Sequence, residues 1–397
     1  MRLSQRATRI KPSATLTINA KAKALKQKGV KVISFGVGEP DFDTPLHIQA
    51  AAIEAIRDGH TRYTAVSGIN ELRDAIVDTV QKDYGLTYRR DNVLVSCGGK
   101  HALYNLFQTL LDPDDEVIIP APFWVSYPDM VELTGAKSVE VPTREIDGFK
   151  LRPEQLEKVL TPKTRMLILN SPSNPTGAHY RRDELDALAE TILRHNLTVL
   201  SDDIYYRILF DGQEWVNMAM LGERLKERTF IANGVSKSYC MTGWRIGYLV
   251  GDAAVLSAAS KIQSQSTSNP CSIAQWASVA ALNGPQEDVE KMVQIFQERC
   301  SYVLKRLAEI PGVTCYKPNG AFYVFPNFSC TFGKSVDGRV IKGSLDLADY
   351  LMEKANVAVV PGSAFGEDSC LRFSYAISME ELTEGFDRIS RAIAALK

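Results

Sequence analysis

Lys237 stands in Asn233-Gly234-Val235-Ser236-Lys237-Ser238, just after the β-branched run Thr229 to Ala232. A lysine beyond a strand end can form a Schiff base if its amine is kept neutral and oriented. Arg245 follows eight residues later, in Thr242-Gly243-Trp244-Arg245-Ile246-Gly247. Asp202 follows the run Thr198 to Ser201, with Tyr205 three residues on. A carboxylate so placed can pair with a protonated ring nitrogen. Cys97-Gly98-Gly99-Lys100 follows Val93 to Ser96 and opens a helical stretch. Glycines there let backbone N–H groups converge on an anion at the helix N-terminus. Ser171-Pro172-Ser173-Asn174-Pro175-Thr176-Gly177 follows Met166 to Asn170.

Taken singly, each piece has an ordinary structural reading. Lys237 alone is a surface lysine, Gly98-Gly99 a tight strand-to-helix turn, Asp202 a helix N-cap and Asn174-Pro175 a turn. Their conjunction is more specific. One ligand needs a phosphate nest, an amine for its aldehyde, a carboxylate for its ring nitrogen and donors for its phenolate oxygen. That ligand is pyridoxal phosphate.

The elements that must position these groups alternate. Candidate strands are Val93 to Ser96, Glu116 to Ile119, Met166 to Asn170, Thr198 to Ser201, Thr229 to Ala232 and Ile246 to Val250. Between them lie amphipathic helices. One starts after Gly99, with Ala102, Leu103, Leu106, Phe107 and Leu110 at helical spacing, and another covers Arg182 to His195. The expected fold is α/β, a mostly parallel sheet with helices on both faces, whose ligands sit at the carboxyl ends of the strands. From about Pro285 the pattern becomes α+β. It holds a long helix (Glu287 to Ala308), a strand around Val313, another from Phe322 to Phe325, and a helix around Ser344 to Lys354. Strands Val357 to Val360 and Leu371 to Ser374 and a final helix complete it. This places a large cofactor-binding domain at 46–285 and a small domain formed by 1–45 with 286–397.

The chain has 397 residues, a net charge of -1, and 45% hydrophobic and 23% charged residues, the composition of a soluble protein. Near-neutral charge argues against a nucleic-acid binder. Seven cysteines without a C-x-x-C read as free thiols of a reduced, cytoplasmic protein. Five histidines form no H-x-x-x-H pair, so no metal site is expected. The basic start of the chain lacks the apolar region of a secretion signal. No run approaches the roughly 18 apolar residues of a membrane span.

On these motifs the sequence resembles the fold-type I pyridoxal-phosphate enzymes, the class I aminotransferases. Within them it is similar to the bacterial and archaeal aspartate aminotransferase branch that includes prephenate aminotransferases. The likeness begins with Lys11-Pro12-Ser13-Ala14-Thr15 and Gly38-Glu39-Pro40-Asp41-Phe42-Asp43-Thr44-Pro45, and ends with Arg372-Phe373-Ser374-Tyr375-Ala376. The stretches Ser236 to Gly247 and Asn174 to Gly177 are its most specific parts. The resemblance implies that Lys237 holds the cofactor and shuttles a proton. Asp202 would keep the pyridine nitrogen protonated, Asn174 and Tyr205 would donate to the phenolate oxygen, and Gly99, Lys100, Ser236 and Arg245 would cradle the phosphate. Trp124, in Pro122-Phe123-Trp124-Val125-Ser126-Tyr127, would stack on the ring. Tyr63 would reach the neighbouring subunit's phosphate, which implies a homodimer with shared sites. Arg372 would clamp the substrate α-carboxylate, helped by the Gly38 N–H. In this branch Lys100 would read the distal carboxylate, with Lys11 and Thr15 near the same end of the pocket; Trp124 and Asn174 would also border the substrate.

One departure stands out: where some aminotransferases place a phosphate-binding serine three residues before the lysine, this chain has Gly234. The implied activity is transfer of the amino group of aspartate or glutamate to 2-oxoglutarate or oxaloacetate, with prephenate a further acceptor. It would run as a ping-pong exchange between the pyridoxal and pyridoxamine forms of the cofactor, in amino-acid biosynthesis. The same lysine and aspartate would also serve an aminotransferase for aromatic or alanine-type donors, or a β- or γ-eliminating lyase. A cofactor-binding effector domain of a transcription regulator would need a helix-turn-helix, for which the chain leaves no room.

Overall fold

Seven strands, all but β3 built on aliphatic or β-branched runs, form one sheet: β1 (Val93–Ser96), β2 (Glu116–Ala121), β3 (Lys137–Pro142), β4 (Thr164–Asn170), β5 (Thr198–Asp202), β6 (Thr229–Gly234) and β7 (Gly247–Val250). The computed structural model describes residues 1–10 and 12–397. The strands lie in the order β1-β7-β6-β5-β4-β2-β3. Every neighbouring pair is parallel except those of β7, which runs antiparallel to both β1 and β6. β1, β6 and β7 are buried along their whole length, as strands covered on both faces must be. β3, not anticipated from the sequence, is the polar edge strand and exposes Lys137, Glu140 and Pro142. Its half-solvated side chains carry no apolar run to betray it.

Helices cover both faces. Helix Gly99–Leu110 buries Ala102, Leu103, Leu106 and Phe107 against β1, β6 and β7. On the opposite face, helix Arg182–Arg194 buries Leu185, Leu188 and Ile192 against Leu167, Leu169 and Val199. Its start is fixed by Glu184, which accepts from the Arg181 N–H at 2.8 Å, and by the acidic pair Asp183 and Glu184 in the first turn.

The rest of the chain is α+β. Helix Glu287–Ala308 carries acids in its first turn and Lys305 and Arg306 in its last, and buries a stripe from Val289 through Phe296 to Leu307. Tyr323–Val324, Leu371–Ser374 and Val360–Pro361 form a small antiparallel sheet. Ile33–Ser34 pairs in parallel with Val357–Ala358, which joins the two ends of the chain.

Several sequence expectations are corrected here. No strand forms around Val313: Gly312 turns the chain in the left-handed region, and only Thr314 makes a single bridge, to Asn327. The run Phe322 to Phe325 pairs only at Tyr323–Val324. The run Val357 to Val360 splits between two sheets, because Val357–Ala358 pairs with Ile33–Ser34 and Val360–Pro361 with Leu371–Arg372. The helix from Ser344 is α-helical to Tyr350 and widens into a π-helical turn, Leu351–Ala355, closed by Asn356 in the left-handed region. The fold class is the expected α/β with a mostly parallel sheet.

Sheet register sets the geometry of one edge. Asn170 of β4 lies beside Asp202 of β5, Asp202 beside Ala232 of β6, and both Gly234 and Ser96 beside Gly247. The carboxyl ends of β1, β4, β5 and β6 therefore meet the start of β7 along one rim.

Candidate active site

A cavity of about 300 Å³ opens on that rim. Gly38, Gly99, Lys100, Trp124, Asn174, Asp202, Tyr205, Ser236, Lys237, Arg245, Arg372 and Thr15 all line it. The structure thus gathers groups drawn from Thr15 to Arg372 into one pocket. Tyr63 does not line it; its ring is 93% exposed. Lys11 lies outside the described residues.

Asp202 is held from three sides. The Tyr127 hydroxyl donates to its Oδ2 at 2.6 Å, and the Ile204 N–H donates to its Oδ1 at 3.3 Å. Asn170 Nδ2 donates to its carbonyl at 2.8 Å, while Asn170 Oδ1 accepts from the Asn174 N–H at 2.8 Å. One amide at the end of β4 thereby places both Asp202 and Asn174. Burial pushes the Asp202 carboxyl up to about 6, against the pull of Tyr127, Ile204 and Lys237. It is ionised at neutral pH and would favour a protonated nitrogen beside it.

Lys237 lies at the floor, its Nζ donating to the Gly38 carbonyl at 2.5 Å. Burial brings its amine down to about 8; Glu39 opposes this, and Arg372 and Arg245 add to it. An appreciable fraction of the amine is therefore neutral near physiological pH, as a nucleophile requires.

The turn into helix Gly99–Leu110 is built around close backbone approach. Gly98 sits at φ +88°, and a Cβ there would stand 2.3 Å from Arg245 Nη2; a Cβ on Gly247 would stand 2.2 Å from the Gly99 nitrogen. Arg245 itself is left-handed (φ 59°) and donates from Nη1 to the Thr242 carbonyl at 2.8 Å. The helix has no acid in its first turn and no side-chain cap. Its free N–H groups, with Ser236 and Arg245 opposite, make a seat for an anion. Gly234 is explained by packing: a Cβ there would meet the Ile246 carbonyl at 2.8 Å and the Gly247 Cα at 2.9 Å. A serine does not fit between β6 and β7.

Lys100 lies 5.0 Å from the centroid of the Trp124 ring, which meets Tyr127 edge-on. Burial, and then Arg245, lower the Lys100 amine, while Asp129 opposes them. Arg372 is buried. Its Nη1 donates to Asn174 Oδ1 at 3.0 Å and its Nη2 to the Gly36 carbonyl at 2.9 Å, and its Nε has no partner. No carboxylate among the described residues pairs with it. A buried guanidinium without a counter-charge is costly unless a ligand supplies one. Because Asn174 turns its oxygen to Arg372, its Nδ2 is left to donate into the cavity.

Sequence reasoning missed three members of this arrangement. Asn170 reads as the end of a core strand, although its polarity there was a usable signal. Tyr127 lies three residues beyond Trp124, its N–H bonded to the Trp124 carbonyl and its ring edge-on to the indole. Tyr323, whose hydroxyl is 2.9 Å from that of Tyr205, hides in the apolar run Ala321 to Phe325.

Comparison with known proteins agrees with this geometry. The model of a family described as aminotransferase class I and II matches residues 30–389. An aspartate aminotransferase of Bacillus subtilis is 47% identical, covering 99% of each chain. An aspartate/prephenate aminotransferase of Nitrosomonas europaea is also 47% identical, over 99% of this chain and 100% of its own. The crystal structure of the aspartate aminotransferase from Rhizobium meliloti superposes with a TM-score of 0.97 at 46% identity, covering 100% of each chain. A match across nearly the whole chain, at such identity and on such a site, shows that this chain belongs to the aminotransferase class I and II family.

Proposed function

We propose that this enzyme moves the amino group of aspartate or glutamate to 2-oxoglutarate or oxaloacetate, accepts prephenate as well, and uses pyridoxal phosphate held at Lys237. Membership in the family implies the cofactor, and the residues present suit it. An anion seat lies at the helix start after Gly98. An ionised, buried carboxylate waits at Asp202, and Asn174 keeps an unused amide donor. When bound, the cofactor supplies an aldehyde for an amine and a conjugated ring that accepts the electron pair left when a Cα proton departs.

In this reading Gly99, Lys100, Ser236 and Arg245 hold the phosphate and Asp202 holds a proton on the ring nitrogen. Asn174 and Tyr205 donate to the ring oxygen, and Trp124 covers the ring face. The Lys237 amine, lowered by burial, would take a proton from the substrate Cα and return it to the former aldehyde carbon of the cofactor, across the intervening nitrogen. Arg372 presents two parallel N–H donors to the substrate α-carboxylate, and the Gly38 backbone adds a third. Lys100, with Thr15 lining the same cavity, meets the second carboxylate as a mobile ammonium that tolerates acids of different length. Aspartate and prephenate as substrates rest on what the relatives' names record of those proteins and on this second cation. The observation that carries the reading is Arg372, a buried and unpaired guanidinium in the same cavity as Lys237 and Asp202.

The same reading makes residues 46–285 a large domain and 1–45 with 286–397 a small one, whose two segments meet in the Ile33–Ser34 pairing with Val357–Ala358. It also makes the chain a homodimer in which Tyr63 reaches the partner's phosphate seat. The exposed ring of Tyr63 and the exposed Leu46, Ile53 and Ile56 support this. Sedimentation of the purified protein as a monomer would remove that part.

The deciding experiment profiles amino donors and acceptors for the wild type and for Lys100→Ala. Wild-type kcat/KM should be highest for aspartate and glutamate. Lys100→Ala should lose at least about tenfold on these and on prephenate, and much less on alanine and phenylalanine. An equal loss on every donor together with weaker cofactor binding would make Lys100 a phosphate residue only. Elimination products in place of a new amino acid would make the enzyme a lyase.

A further inference from the structure

Tyr323 occupies a position between the two halves of the site that the preceding reading leaves without a role. Its residue pairs with Ser374 across the small antiparallel sheet, and Arg372 lies two residues back on the same face. Side chains on that diagonal are within reach of each other. The ring accordingly packs against the Arg372 guanidinium, 4.7 Å from centroid to Cζ. Its hydroxyl lies 2.9 Å from the Tyr205 hydroxyl. A Cβ on Gly38, whose carbonyl accepts from Lys237, would stand only 3.0 Å from that same oxygen. Tyr323 is 1% exposed and Tyr205 3% exposed, so no solvent competes for these contacts.

We propose that Tyr323 is a positioning residue that couples the ring-oxygen donor to the carboxylate clamp. Its hydroxyl sets the strength of Tyr205 as a donor, and its ring face holds Arg372 in place. The direction of the first effect follows from proton counting. A neutral phenol has one proton. If Tyr205 spends it on the cofactor's ring oxygen, the Tyr205 oxygen can only accept from Tyr323. A donor whose own oxygen accepts a hydrogen bond is polarised and donates more strongly. The second effect is electrostatic: a desolvated guanidinium on an aromatic face is held by the ring quadrupole. The ring brings no counter-charge to the guanidinium, whereas a carboxylate in its place would neutralise the clamp.

This inference rests on the proposed binding of pyridoxal phosphate, and two variants separate its parts. Tyr323→Phe keeps the ring and removes the hydroxyl. With Tyr205 donating more weakly, the ring oxygen becomes more basic. The apparent pKa read from the visible absorbance of the bound cofactor should rise by about half a pH unit, in the same direction as for Tyr205→Phe but by less. Affinity for succinate, a non-reacting dicarboxylate, should stay within about twofold. Tyr323→Leu removes the ring as well and should weaken succinate binding by about tenfold or more.

An unmoved absorbance pKa in Tyr323→Phe, when Tyr205→Phe does move it, overturns the proposal and leaves the assignment of Tyr205 standing. If Tyr205→Phe also moves nothing, the assignment of Tyr205 falls and the proposal falls with it. If Tyr323→Leu binds succinate as the wild type does, the coupling to Arg372 is overturned. Borohydride fixation of the cofactor to Lys237 in all three variants keeps these outcomes apart from failure of the cofactor reading itself.

Discussion

Removing the Arg372 side chain should cripple turnover of every amino acid while leaving the cofactor bound. The guanidinium is buried, gives its two Nη groups to the oxygens of Asn174 and Gly36, and keeps its Nε unpartnered. Burial lowers its pKa, while Tyr323 and Tyr205 hold it up, and no carboxylate among the described residues pairs with it. In Arg372→Ala a substrate α-carboxylate would enter a dry subsite that has lost its guanidinium. Truncating one partner of a buried charge pair costs about 2–5 kcal/mol. At 1.36 kcal/mol per decade that is about 30-fold to several thousand-fold in kcat/KM. Arg372→Lys should recover only part of this, because one ammonium cannot serve Asn174, Gly36 and two carboxylate oxygens together. The assay is steady-state kcat/KM for aspartate, alanine and phenylalanine, with cofactor content measured by absorbance in each preparation. Losses confined to the dicarboxylic donors would show that Arg372 reads the side chain instead. A loss below about fivefold on all donors would show that its charge does not meet substrate at all.

Because burial brings the Lys237 amine to about 8, borohydride-fixable attachment of cofactor to the ligand-free protein should speed up about tenfold per pH unit below 8 and level off above it; a flat profile from pH 6 to 9 refutes the lowered amine. Asp202→Asn should reduce kcat on the order of 10²-fold. The Asp202 carboxyl is raised from 3.8 to about 6, so the folded state binds more protons in that window and this group withdraws stability as pH rises through it. The ligand-free Asn variant should consequently melt within about 3 °C of the wild type at pH 7.5; a large fall in Tm would make Asp202 a structural residue. Gly234→Ser forces a Cβ to within 2.8 Å of the Ile246 carbonyl and should cost about 1–3 kcal/mol in urea unfolding. Unchanged stability would mean that β6 and β7 separate more easily than their packing indicates.

The sequence by itself determined the sheet and the rim. Strands buried on both faces must be continuous apolar runs, so β1, β4, β5, β6 and β7 stand out, and a polar or glycine-rich segment directly after such a run has to lie at a strand end. That is why Lys237, Asp202, Asn174 and Gly99 could be marked before any coordinates. Where a strand is an exposed edge, as β3 is, or where pairing lasts two residues, as at Tyr323–Val324, the pattern is too short or too polar to read. Only the tertiary structure decided how distant segments meet. Gly234 looked like a missing serine until the 2.8 Å approach of the Ile246 carbonyl gave its reason. Tyr127 and Tyr323 draw no role from the sequence, because an apolar ring surrounds itself with apolar neighbours whatever its hydroxyl does. Their hydroxyls find Asp202 and Tyr205 across 75 and 118 residues of chain. Periodicity along one element encodes which face is buried, and carries no information about which polar atom on another element will lie beneath it.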